Sequence, residues 1–152
     1  MTRNKKARES GEHIASECLA VRVRLLGRIV TRIYDDALRP LGLTVGQLNL
    51  VVIVGTRGPV GQSEIARLLS MEKSTVTRNV ERMTRQGWIE SLPSGSRSGQ
   101  GLQLTEQGRK LLQKAHPIWE EAQRRTLARL GKQNFASLGR VADSVWAKLV
   151  RE

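Results

Sequence analysis

From His13 to Leu38, apolar residues fall at Ile14, Cys18, Val21, Leu25, Ile29, Ile33 and Ala37, a spacing that predicts one long amphipathic helix. Arg24, Arg28 and Arg32 form a second, basic stripe on it, and Pro40 and Gly42 end it. The residues before it are polar, and 1–11 are expected as a disordered basic tail. Thr44, with Gln47 three residues on, reads as a capping box. Leu48 to Val54 is too apolar for a surface helix and predicts a buried one. Gly55 to Gly61 reads as a loop with room for a short strand. Two short helices follow, Gln62–Leu69 and about Lys73–Gln86, joined by a tight turn at Ser70-Met71. Val76, Val80 and Met83 mark the buried side of the second, and Gly87 closes it. Trp88–Leu92 and Leu102–Leu104 predict a two-stranded hairpin around a tip, 94–101, that has no apolar residue. Thr105 then caps a long helix to about Leu130, with a kink expected at Pro117, and Phe135 to Leu149 carries a last amphipathic helix.

Composition narrows the picture. The chain of 152 residues is about one domain long, and its 39% apolar content suits a folded core. A net charge of +12, from 26 basic and 14 acidic residues, points to a polyanionic partner. Divided at 40 and 110, each part carries +4, so the charge alone marks no binding face. The single cysteine, Cys18, leaves no internal disulfide and no multi-cysteine zinc site, and two histidines leave little for a metal centre. No metal or cofactor is expected. The apolar runs are too short to span a bilayer, no signal peptide is visible, and a cytoplasmic location is expected.

The chemistry lies in the middle. Two short helices joined by a tight turn and followed by a hairpin describe a winged helix-turn-helix. The second helix of such a unit enters the DNA major groove by its first turns. Here those turns offer Lys73 and the hydroxyls of Ser74, Thr75 and Thr77 to phosphates and base edges. Arg78 has the fork to read a guanine, and Asn79 the amide to read an adenine. Arg97, at the hairpin tip, is placed for the minor groove or its phosphates.

Leu41-Gly42-Leu43-Thr44 with Gln47, Ser74-Thr75-Val76-Thr77-Arg78 followed by Gly87, and Leu104-Thr105 with Gly108 together resemble MarR-family regulators. The resemblance runs from about residue 12 to the C-terminus. It implies a homodimer on a pseudo-palindromic operator in double-stranded DNA, with the first and last helices of each copy interlocked. The chain departs from the family's Asp-x-Arg wing pattern, since Ser96 and Ser98 stand at those positions with Arg97 between them.

The resemblance also implies a small, often aromatic or phenolic, effector bound between the dimer helices and the winged unit. By position Tyr34, Arg32, His13 and Trp119 are candidates to line that space. Cys18 is a candidate oxidant sensor, as in the hydroperoxide-responsive branch of the family. It stands slightly N-terminal of that branch's cysteine, and the bland alternative is a small apolar residue on the helix stripe. Arg22, four residues on, is placed to supply positive charge.

The expected fold is mainly α with a small β-hairpin wing, a winged helix-turn-helix (41–105) flanked by dimerisation helices (12–40 and 106–152). The expected function is a sequence-specific DNA-binding transcriptional regulator, a repressor released by a ligand or an oxidant. No nucleophile elbow, P-loop or metal spacing suggests an enzyme. A non-specific architectural nucleic-acid binder is the alternative, favoured by the charge but not by an aromatic content of 3%.

Overall fold

The long N-terminal stripe folds as two helices rather than one. In the structure, a computed structural model describing residues 2–92 and 101–149, α1 spans Thr2–Glu17 and α2 spans Leu19–Leu38. Cys18 separates them in an extended conformation (φ −66°, ψ 109°). The stretch expected as a disordered tail is therefore helical from Thr2. It has no apolar stripe to reveal it. Its helix rests on good helix formers and on the exposed pairs Lys5–Glu9 (3.9 Å) and Arg8–Glu12 (3.1 Å), each worth about 0.3–0.5 kcal/mol.

The two halves of α2 differ in what covers them. Tyr34 and Leu38 are buried, with Val30, Ile33 and Ala37 packed beside them. Leu19, Val21, Val23 and Leu25, in the first half, are all more than half exposed. A 3-10 turn, Arg39–Leu41, carries Pro40, and Gly42 closes it at φ 67°. The Thr44–Gln47 capping box then starts α3 (Val45–Arg57). The Gln47 amide donates to Thr44 Oγ1 (3.3 Å), and the Thr44 amide to Gln47 Oε1 (3.1 Å). Asp35 Oδ1 accepts from the Val45 amide at 2.7 Å, which fixes α3 against α2.

Helix α3 continues through Gly55, where a loop was expected. Glycine serves packing there: an added Cβ would lie 2.9 Å from Leu104 Cδ1. Beyond it Val60 exchanges backbone hydrogen bonds with Leu102 (3.1 and 2.9 Å). Helix α4 (Gln62–Leu68) and α5 (Lys73–Arg85) follow, joined by a turn in which Ser70 takes φ 49°. Gly87 (φ 72°) ends α5 with both bonds of a Schellman motif, Gly87 N to Thr84 O and Trp88 N to Met83 O, each 2.9 Å.

Strands β1 (Ile89–Ser91) and β2 (Leu102–Leu104) pair antiparallel, with Ile89 opposite Leu104. Thr105 caps α6 (Glu106–Leu130), accepting from the Gly108 amide at 3.0 Å. The helix runs unbroken through Pro117. Gly131 separates it from α7 (Lys132–Leu149).

The core gathers Leu50, Val51 and Val54 of α3, Ile65 of α4, Val76 and Met83 of α5, Ile89 and Leu102 of the hairpin and Ala115 of α6. Burying each large aliphatic side chain contributes about 1.5–3 kcal/mol, so this core fixes the helix-turn-helix rigidly. The first half of α2 and most of α7 lie outside it. Ile14, Val21, Leu25, Leu138, Val141 and Val145 expose apolar surface, as no isolated soluble domain needs to. Among the described residues, no single helix is long and apolar enough to cross a membrane.

Candidate nucleic-acid interface and effector pocket

Helix α5 is amphipathic. Val76, Val80 and Met83 hold it to the core, which turns the opposite side to solvent. Lys73, Ser74, Thr77 and Arg78 are exposed, whereas Thr75 and Asn79 are half-buried. Glu72 occupies the N-cap, and its side chain makes no capping bond to the first-turn amides.

The exposed side chains are held in part. Thr77 Oγ1 donates to Gln62 Oε1 at 3.0 Å, tying the outer face of α5 to the start of α4. Arg78 Nε donates to the Ser74 carbonyl at 3.3 Å, which leaves the terminal guanidinium nitrogens free of that bond. Asn79 turns its amide back on its own helix, with Nδ2 donating to the Thr75 carbonyl at 2.9 Å. Gln62 was not singled out in the sequence. Its link to Thr77 spans fifteen residues and has no local signature.

The wing braces the same unit. Gln103 Nε2 donates to Glu90 Oε1 across the strands at 2.8 Å. Arg97 lies outside the described residues.

The residues considered for an effector are not brought together. Trp119 lines a cavity of about 840 Å³ between α3, β2 and α6. Leu48, Val52, Leu104 and Leu112 make its wall largely apolar, and Asn49, Gln113 and His116 supply polar groups. The rings of His116 and Trp119 lie 6.0 Å apart. Arg109 also reaches the rim, but it is committed to the Leu104 carbonyl (2.9 Å) and to Glu106 Oε2 (3.1 Å).

Tyr34 does not line that cavity. It is buried in the core and its hydroxyl donates to Gln123 Oε1, tying α2 to α6. Arg32 lines a separate groove of about 820 Å³ with Arg28, Arg125 and Arg129. His13 stands exposed on α1.

Cys18 is half-buried at the break between α1 and α2, not on a continuous helix stripe. The Arg22 guanidinium, expected to favour its thiolate, donates instead to the Ser16 carbonyl. Among the described residues, no group of three or more His, Cys, Asp or Glu is placed to hold a metal ion.

Comparison with known proteins places this architecture. The MarR family model matches residues 43–96, which covers the helix-turn-helix and the first strand of the wing. The transcriptional regulator MosR of Mycobacterium tuberculosis is 32% identical, with 84% of this chain and 97% of that one superposed at a TM-score of 0.68. Escherichia coli MarR, in a mutant form crystallised with operator DNA, superposes at a TM-score of 0.76 over 87% of this chain and 96% of that one, with 19% identity. The HTH-type transcriptional regulator YwoH of Bacillus subtilis is 29% identical over 83 residues, 55% of this chain. That match spans 61% of the Bacillus protein's own length. With its capping box, helix-turn-helix and hairpin all in place, the chain belongs to the MarR family of winged helix-turn-helix transcriptional regulators.

Proposed function

We propose that the chain is a dimeric, sequence-specific DNA-binding repressor that a small aromatic ligand releases from its operator. The observation that carries the DNA reading is α5. Its buried side is locked to the core, and its opposite side presents Lys73, Ser74, Thr77 and Arg78 in the first two turns. That is the geometry of a helix that enters the major groove by its N-terminus. Arg78 serves as the base reader, while Lys73 and the hydroxyls position the helix on phosphates. The operator-bound Escherichia coli protein of the same fold supports the DNA reading.

The exposed apolar surfaces of α1, α2 and α7 support a second copy of the chain as the other partner. Two copies related by a two-fold axis place two recognition helices on a pseudo-palindromic site. The cavity between α3 and α6 supports the effector. Its apolar wall suits an aromatic ring, and Asn49, Gln113 and His116 suit a hydroxyl or carboxylate substituent. Cys18 supports an oxidant switch less, because a small apolar residue equally suits its half-buried place at the break between α1 and α2.

The test is binding to the DNA upstream of the chain's own gene and to scrambled duplex, at several salt concentrations. A strong preference that persists near physiological salt is expected. Equal and steeply salt-dependent binding to both, with no preferred sequence recovered from random DNA, would replace this reading with that of an architectural binder.

A further inference from the structure

Helix α7 is amphipathic, yet none of its described residues is buried. It nevertheless reaches the DNA-binding unit through a side chain. Trp146 Nε1 donates to the carbonyl oxygen of Leu68 at 2.9 Å, across seventy-eight residues of chain.

The acceptor is in a telling place. Leu68 is the last residue of α4, and the final carbonyls of a helix lack donors within it. Three of those carbonyls are satisfied inside the turn. Ile65 O accepts from the Leu69 amide, Ala66 O from Met71 and Arg67 O from Ser70, at 3.0, 2.9 and 3.2 Å. The Leu68 carbonyl is the one that α7 takes. It lies two residues before Ser70, whose left-handed backbone sets the angle between α4 and α5. The Leu68 side chain is itself buried, so this point is firmly joined to the core of the unit.

We propose that Trp146 is a positioning residue. It pins α7 to the helix-turn-helix turn and so sets how the recognition helix is held relative to the helices outside the winged unit. This rests on the DNA-binding reading above for its consequence, which is selectivity for the spacing between operator half-sites. In a two-fold dimer that spacing is fixed by the separation of the two recognition helices, about 34–36 Å for adjacent major grooves. The indole N–H supplies the tie. Trp146 is 45% exposed, so packing alone holds it weakly.

The test uses the full chain and Trp146→Phe, which keeps an aromatic ring and removes the donor. Two readouts are made. The first is affinity for a series of operators whose half-sites are moved apart or together one base pair at a time. The wild type is expected to prefer one spacing sharply. In Trp146→Phe that preference narrows by roughly fivefold to tenfold, the scale of one hydrogen bond. The second is amide hydrogen exchange without DNA, where residues 69–75 are expected to exchange faster in Trp146→Phe than in the wild type. Unchanged exchange at 69–75, or an unchanged spacing profile on an operator that the wild type recognises, overturns the proposal. Failure of the wild type to prefer any sequence overturns the DNA reading instead, and the exchange experiment still decides whether the tie exists.

Discussion

Gly108 lies so close to Trp88 that a Cβ on the glycine would meet the Trp88 carbonyl oxygen at 2.0 Å. The contact seals the junction where the hairpin begins and α6 departs. Thr105 completes it, with its amide donating to the Trp88 carbonyl at 3.1 Å and its hydroxyl to the Gly87 carbonyl at 2.5 Å. Backbone on one side and helix on the other leave nothing flexible to yield. Gly108→Ala is therefore expected to destabilise the fold by about 1–3 kcal/mol, the usual cost of overpacking. Denaturant unfolding measures it, and a loss below a few tenths would show that the junction can open without penalty.

Arg78→Ala separates base reading from phosphate contact. If the guanidinium reads a guanine, the variant loses about 1–3 kcal/mol on the operator and little on scrambled DNA. An even loss on both, with a shallower salt dependence, identifies a phosphate contact. Titrations on both duplexes at two or more salt concentrations distinguish these outcomes.

Val141 is 61% exposed on α7, among Leu138 and Val145. A glutamate there leaves the winged unit untouched and puts a charge into the surface assigned to the second copy. Val141→Glu is expected to sediment as a monomer, with a helical circular dichroism spectrum and much weakened operator binding. A dimer of unchanged affinity would move the interface elsewhere.

Tyr34→Phe removes the hydroxyl that binds Gln123 and keeps the buried ring. The expected cost is about 0.5–1.5 kcal/mol, the net value of one hydrogen bond. Salicylate, as an aromatic probe of the α3–α6 cavity, should displace DNA from this variant as well as from the wild type. Trp119→Ala should blunt the displacement, because Trp119 lines the cavity and Tyr34 does not. Equal effects in the two variants would remove the cavity from the switch.

Local chemistry made much of this architecture legible. Thr44 with Gln47 and Gly87 after α5 bracket helices through contacts three to five residues long, so spacing alone finds them. The buried side of α5 was legible for the same reason. What escaped depends on distant contacts or on none. Gly55 reads as a loop residue because the reason for its glycine, Leu104, is far along the chain. Tyr34 was placed near the effector because its acceptor, Gln123, is eighty-nine residues away. The first helix was missed because it buries nothing, and periodicity reports only faces that are buried. The offered hydroxyls of α5 were legible as residue types, but the inward turn of Asn79 was not, since it is a choice among rotamers.

Pro117 leaves a gap in the hydrogen-bond ladder of α6. Lacking an N–H, it leaves the carbonyl of Gln113 without the donor four residues ahead. Gln113 and His116 both line the α3–α6 cavity, so the missing rung of α6 falls beside the space offered to a ligand. A helix of 25 residues is a rod of about 37 Å, and a bend of about 5° at its midpoint displaces either end by ~1.6 Å. The cavity thus lies beside a missing rung in a helix whose near end is sealed to the wing at Gly108 and whose far end is followed by α7.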